Sequence, residues 1–174
     1  MCTSISIKKK VAVIMGSDSD LGVMKNCVNT LKKFGVEVEV RIISAHRTPY
    51  EAENFAKNAE ANGFGTIIAA AGKAAHLAGV LAAYTVLPVI AVPMKSSTMD
   101  GLDSLLSMVQ MPSGIPVATV AIDGAVNAAL LAVQILAVSD KELSEKMKQY
   151  KIDMADGVKQ KDAELQWKLD ELLK

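Results

Sequence analysis

The chain is predicted to fold as an α/β protein, a three-layer sandwich built around five parallel strands. Three observations point there. Five short β-rich runs alternate with helical patterns before residue 139. Most of these runs are continuously apolar rather than alternating, the mark of a parallel sheet covered on both faces. Glycines also fall where helices should stop.

Taken in order, residues 11–15 read as the first strand and open onto the turn Gly16, Ser17, Asp18, Ser19, Asp20. A helical pattern over 21–34 follows and ends at Gly35. The second strand spans 36–43, and Pro49 starts a helix predicted over 49–62, ahead of Gly63. Strand three covers 66–70, and a helix is expected over 75–86. Strand four is 89–92, followed by a helix at 101–109. Strand five is 117–122, and the helix over 124–138 closes the layer. Right-handed crossovers and this alternation favour a flavodoxin-like strand order of 2-1-3-4-5.

Beyond Ser139 apolar residues recur at helical spacing, at Leu143, Met147, Tyr150, Met154 and Val158, then at Leu165, Leu169 and Leu172. An amphipathic helical extension docking on its own or a neighbouring subunit is expected, with Gly157 a place where it could break in two. Residues 1–139 should therefore form the flavodoxin-like domain, and 140–174 a C-terminal helical extension of it. There is no internal repeat or linker.

Charge narrows the function. Lysine plus arginine total 19, as do aspartate plus glutamate. Nothing favours nucleic acid or an anionic membrane surface. The apolar stretch 74–94 imitates a membrane span, but Pro88 divides it and the soluble pattern resumes. Residues 1–10 lack the apolar core of a signal peptide, and Cys2 and Cys27 have no metal-ligand spacing, so a reducing cytoplasm is expected. From 65 to 139 only Lys73, Lys95, Asp100, Asp103 and Asp123 carry charge, whereas the last 35 residues hold 17 of the 38 charged side chains. A monomer's surface would need more charge in the middle, which predicts a homo-oligomer.

In open parallel sheets ligands bind beyond the carboxyl ends of the strands. Strand one ends at Ser17, Ser19 and Asp20, and strand two at Ser44, Ala45, His46 and Arg47. Strand three runs into Gly72, Lys73, Ala74, Ala75, His76 and Leu77, and strand four into Lys95 and Ser96. Both histidines thus fall on one edge. Imidazole moves protons near neutral pH, and guanidinium grips phosphate or carboxylate in a fork. The first turn leads into a helix N-terminus, which attracts anions. It equally fits simple helix capping by Asp18 or Ser19. It lacks the spacing of a Walker loop or a dinucleotide fingerprint, which disfavours ATP and NAD. His46 could be a plain loop histidine, His76 a core-facing one, and Lys73 either a solvated residue or a phosphate contact. Two histidines without a paired carboxylate or cysteine do not make a typical metal site. A phospho-receiver module would want an aspartate where Ala71 and Gly72 stand, and a flavin carrier would want aromatics in these loops.

Several ordered motifs carry a resemblance. They are MGSDSD at 15–20, SAHRTP at 44–49, AAHL at 74–77, GLDSLLSMVQMPSGIPVATVAI at 101–122 and NAALLAVQIL at 127–136. From about residue 11 to 140 the chain resembles the 5-(carboxyamino)imidazole ribonucleotide mutase family, the catalytic subunits of phosphoribosylaminoimidazole carboxylase. The resemblance implies a flavodoxin-like homo-octamer of purine biosynthesis, cytoplasmic, needing no metal or organic cofactor. It implies that Ser17, Ser19, Ser44 and Arg47 hold the substrate phosphate and Asp20 the ribose. Gly72, Lys73, Ala74, Ala75, His76 and Leu77 would surround the imidazole and its carboxylate, with His46 as central acid/base and His76 as a second catalytic candidate. The family usually reads GGAAHLPG where this chain has Gly72, Lys73, Ala74, Ala75, His76, Leu77, Ala78 and Gly79. A related branch that carboxylates aminoimidazole ribonucleotide directly with CO2 typically has Arg-Ser-Asn in this loop. Lys73 shares a cation with that branch, while the following Ala-Ala-His-Leu favours the mutase.

Overall fold

The computed structural model describes residues 10–173. Cys2 and most of the N-terminal segment weighed for a signal lie outside them. Five strands, β1 (Lys10–Met15), β2 (Val38–Ile42), β3 (Phe64–Ala71), β4 (Val89–Pro93) and β5 (Ala118–Thr119), form one parallel sheet in the order β2-β1-β3-β4-β5. This is the expected topology. The helices are α1 (Leu21–Lys33), α2 (Pro49–Asn58), α3 (Leu77–Ala83), α4 (Leu102–Val109), α5 (Ala125–Ala137) and α6 (Lys141–Leu172).

Two apolar layers hold the helices to the sheet, and the period of the strands decides which residue enters which. Val11, Val13 and Met15 of β1 face Met24, Cys27 and Leu31 of α1, with Ala128, Ala132 and Val133 of α5 in the same layer. Ala12 and Ile14 face the other way, toward Ala52 and Ala56 of α2, Leu77 and Leu81 of α3, and Met108 of α4. Each fully buried leucine or isoleucine here contributes about 1.5–3 kcal/mol. Small alanines along α5 and α2 let the helices sit close. The Cys27 thiol, free and sealed in the first layer, is pushed up to about 12 by burial.

Several boundaries differ from the sequence reading, each for a physical reason. β3 and β4 are buried along their whole length, but β2 is a sheet edge with Val40 and Ile42 exposed. It carries charge, Glu39 pairing with Lys10 of β1 at 3.0 Å and with Arg41 of its own strand at 3.7 Å, which discourages further strand addition. β5 keeps only two ladder residues of the six expected over 117–122. Past Thr119, single bonds from Val120 N–H to the Ala91 carbonyl and from Asp123 N–H to the Pro93 carbonyl replace the ladder. α2 and α3 are shorter than expected, with turns taking up their ends. Gly35 and Gly63 occupy left-handed backbone, φ 77° and 83°, as helix-ending glycines do.

α6 is one continuous helix of 32 residues, and Gly157 does not break it. A single helical glycine costs about 1 kcal/mol, which long flanking turns absorb. The Asp140 carboxylate caps it by accepting the Leu143 N–H at 3.1 Å. Leu143 and Met147 are buried against the domain, and the Tyr150 ring meets Phe34 edge-on at 5.5 Å. Past that point Ile152, Met154, Val158, Leu165 and Trp167 are exposed. Among the described residues no helix is long and apolar enough to cross a membrane.

Candidate active site

The carboxyl ends of β1 to β4 open on one cavity of about 600 Å³. Ser17, Ser19, Asp20, Ser44, His46, Arg47, Gly72, Lys73, Ala75 and Leu77 line it, so most of the residues expected from the sequence are brought together.

The first wall is the turn after β1. Ser17 and Asp20 cap each other. The Asp20 carboxylate accepts the Ser17 N–H at 3.2 Å, and the Ser17 hydroxyl accepts the Ser19 N–H at 3.3 Å. The cap is therefore this reciprocal pair, rather than Asp18 or Ser19 alone. Asp20 is only 6% exposed, and burial holds its carboxyl above the ordinary carboxylate range, against the lowering effect of its bonds to Ser17 and Ser19.

The second wall is the turn after β2, and it is tied internally. Thr48 donates its N–H to the Ser44 carbonyl at 2.8 Å, and its hydroxyl oxygen accepts the Ser44 N–H at 3.0 Å. The Ser44 hydroxyl accepts from the Arg47 backbone N–H at 3.2 Å and from Arg47 Nε at 3.3 Å. Arg47 Nη2 reaches across to the Gly16 carbonyl at 3.0 Å. The guanidinium is thus pinned between two loops by part of its five-donor fork, leaving the rest for an anion. His46 stands on this turn, exposed to the cavity.

The third wall is the loop after β3. Lys73 lines the cavity with left-handed backbone, φ 56°. That conformation costs a residue with a Cβ about 1–2 kcal/mol. Glycine adopts it freely, which accounts physically for a position where GG is the usual pattern.

Ala74 and His76 are not among the lining residues. His46 faces this cavity, whereas the His76 ring turns toward α4. His76 Nδ1 donates to the Ser107 carbonyl of α4, and the Ser107 hydroxyl donates to the Ala75 carbonyl at 3.4 Å. The imidazole lies flat over Gly79, where an added Cβ would stand 2.0 Å from Nε2. His76 thereby clamps the loop to α4.

The fourth wall was passed over as a source of contacts, though its place at a strand end was the available signal. Met94, Lys95, Ser96 and Ser97 all line the cavity. Lys95 is already engaged. Its ammonium meets Asp100 at 2.9 Å, a bond that raises its pKa, and its N–H donates to Asp123 at 3.0 Å. The Ser96 hydroxyl donates to Asp103 at 2.7 Å. Among the described residues no group of three or more His, Cys, Asp or Glu side chains could hold a metal ion.

Comparison with known proteins agrees with this architecture. The AIR carboxylase family matches residues 10–157. N5-carboxyaminoimidazole ribonucleotide mutase of Pyrococcus horikoshii is 60% identical over 156 residues, covering 90% of this chain and 88% of that protein. The enzyme of the same name from Pyrococcus abyssi is 60% identical over 145 residues, 83% of each chain. A crystal structure of Treponema denticola PurE superposes with a TM-score of 0.83 at 34% identity, covering 90% of this chain and 98% of that one. On the strength of sequence and fold together, the chain belongs to the AIR carboxylase family.

Proposed function

We propose that this protein is a 5-(carboxyamino)imidazole ribonucleotide mutase of purine biosynthesis, an isomerase. It moves a carboxyl group from the exocyclic nitrogen of the imidazole ribonucleotide to ring carbon 4. The observation that carries the reading is the single cavity in which His46, the pinned Arg47 and the Ser17–Asp20 cap converge.

In this reading Ser17, Ser19, Ser44 and Arg47 bind the phosphate, Asp20 accepts from the ribose, and the loop from Gly72 to Leu77 borders the ring. Remote phosphate binding orients the ring over His46. Protonated His46 donates to the exocyclic nitrogen as the carbamate C–N bond breaks and CO2 leaves. The aminoimidazole C4 then attacks the trapped CO2, forming the C–C bond. Neutral His46 removes the C4 proton and returns to its starting state. Imidazole suits both halves because its ordinary titration range lies near neutrality. Residues 93–97 and the small residues of the third loop keep water from the CO2. His76 acts as a positioning residue for that loop.

Residues 1–139 carry the catalytic domain, and 140–174 form its helical extension. The protein acts as a homo-octamer in the cytoplasm. Support for assembly comes from exposed Met99, Leu102, Leu106 and Val109 around α4, and from the apolar side chains of outer α6. The α4 face belongs to the charge-poor middle, and both surfaces offer apolar area to a second copy.

Mixing protein with the carboxyamino substrate tests the function by ultraviolet absorbance. Conversion to the 4-carboxylate is expected, and aminoimidazole ribonucleotide with bicarbonate should react poorly at low CO2. Efficient use of the second pair would make it a direct carboxylase. No change with either would leave only a binding module.

A further inference from the structure

The cavity holds three cations on its walls, and two of them are spoken for. Arg47 is bound to the Gly16 carbonyl and Ser44 hydroxyl, and Lys95 to Asp100. Among the described residues no hydrogen bond or ion pair engages the Lys73 ammonium. Lys73 is also held in backbone that favours glycine. Resting on the mutase reading, we infer that Lys73 is a specificity-determining residue, an ammonium contact for the migrating carboxylate of the ribonucleotide.

The substrate is anionic at two ends, and the two ends make different demands. A phosphate needs a fork and a helix terminus, which the first two loops supply. The carboxyl group changes position during the reaction, from nitrogen to the adjacent ring carbon. A flexible four-carbon stem carrying a point charge can follow it. Lys73 lies on the third loop of the cavity, next to Gly72, where little side-chain bulk separates the ring from the backbone. The ammonium therefore selects the carboxylated nucleotides over the bare aminoimidazole and keeps the carboxylate near the ring in both ground states.

The test compares two ligands by calorimetry on the wild type, Lys73→Met and Lys73→Arg. One ligand is the 4-carboxylate ribonucleotide and the other is aminoimidazole ribonucleotide, which carries the phosphate alone. Lys73→Met is expected to weaken the 4-carboxylate by roughly tenfold, as loss of a charged hydrogen bond does, and to leave aminoimidazole ribonucleotide unchanged. Lys73→Arg should restore most of the preference. Equal losses for both ligands would assign Lys73 to the phosphate and overturn the inference, and so would no loss for either. If the wild type converts the carboxyamino substrate while the Met variant keeps its preference, this inference alone fails. If the wild type neither binds nor converts these nucleotides, the mutase reading falls with it.

Discussion

The loops after β2 and β3 each end a buried or edge strand, each present one histidine, and flank the β1 turn on the same sheet edge. Their histidines nevertheless do different work. The β2 loop is stitched to itself by Ser44 and Thr48, so its turn is rigid without help from the imidazole. His46 is left exposed in the cavity, free to exchange protons. The β3 loop has no such stitching. His76 supplies it, with one ring nitrogen committed to the Ser107 carbonyl and the ring face packed on Gly79. Residue type and strand-end position are therefore insufficient to assign a catalytic role. What decides is whether the side chain's polar atoms are already bound within the fold.

The contrast breaks most visibly at His46. His46→Asn should lower kcat by roughly 10²–10⁴, the span typical of a lost general acid/base, while the melting temperature and nucleotide affinity stay at wild-type values. Near-normal turnover in stopped-flow absorbance would remove His46 from the chemistry. Gly79→Ala attacks the other loop. The added Cβ would meet an imidazole that cannot swing away without leaving Ser107, so stability should fall by about 1–3 kcal/mol in urea unfolding. An unchanged unfolding midpoint would mean that the clamp on the β3 loop is loose.

The smallest effect sharpens the contrast from the β1 side. Burial raises the Asp20 pKa in the folded protein above its ordinary value of 3.8. The folded state thus binds the Asp20 proton more tightly than the unfolded state does. The stability linked to that proton is fully present below the unfolded value and is lost as pH rises through the folded one. Wild-type stability measured against Asp20→Asn should therefore fall as pH rises above the ordinary carboxylate value of 3.8, and level off once the carboxyl is ionised in both states. A difference that stays flat or rises would show that the Asp20 hydrogen bonds outweigh its burial.

Much of the fold was legible because β1, β3 and β4 are buried on both faces, and continuous apolar runs such as 67–71 have few other uses. β5 was over-read for a related reason. The run 117–122 is almost wholly apolar, but a strand needs a neighbour in register, and β4 offers that only to Ala118 and Thr119. Of the site, the motifs located three of its walls. They were silent on where the His76 ring would turn, since that depends on a carbonyl of α4 distant in sequence. They were equally silent on the left-handed backbone of Lys73, which no side-chain pattern encodes. Lys95 and Ser96 sat in plain view at a strand end but belong to no signature of their own.

The bond from Arg47 to the Gly16 carbonyl has a consequence for recognition. An arginine waving in solvent would have to surrender its rotamer freedom each time a ligand arrived, at a cost of about 1 kcal/mol, or roughly fivefold in affinity. Here that freedom was given up once, when the chain folded. The anion meets a receptor that is already in its bound shape.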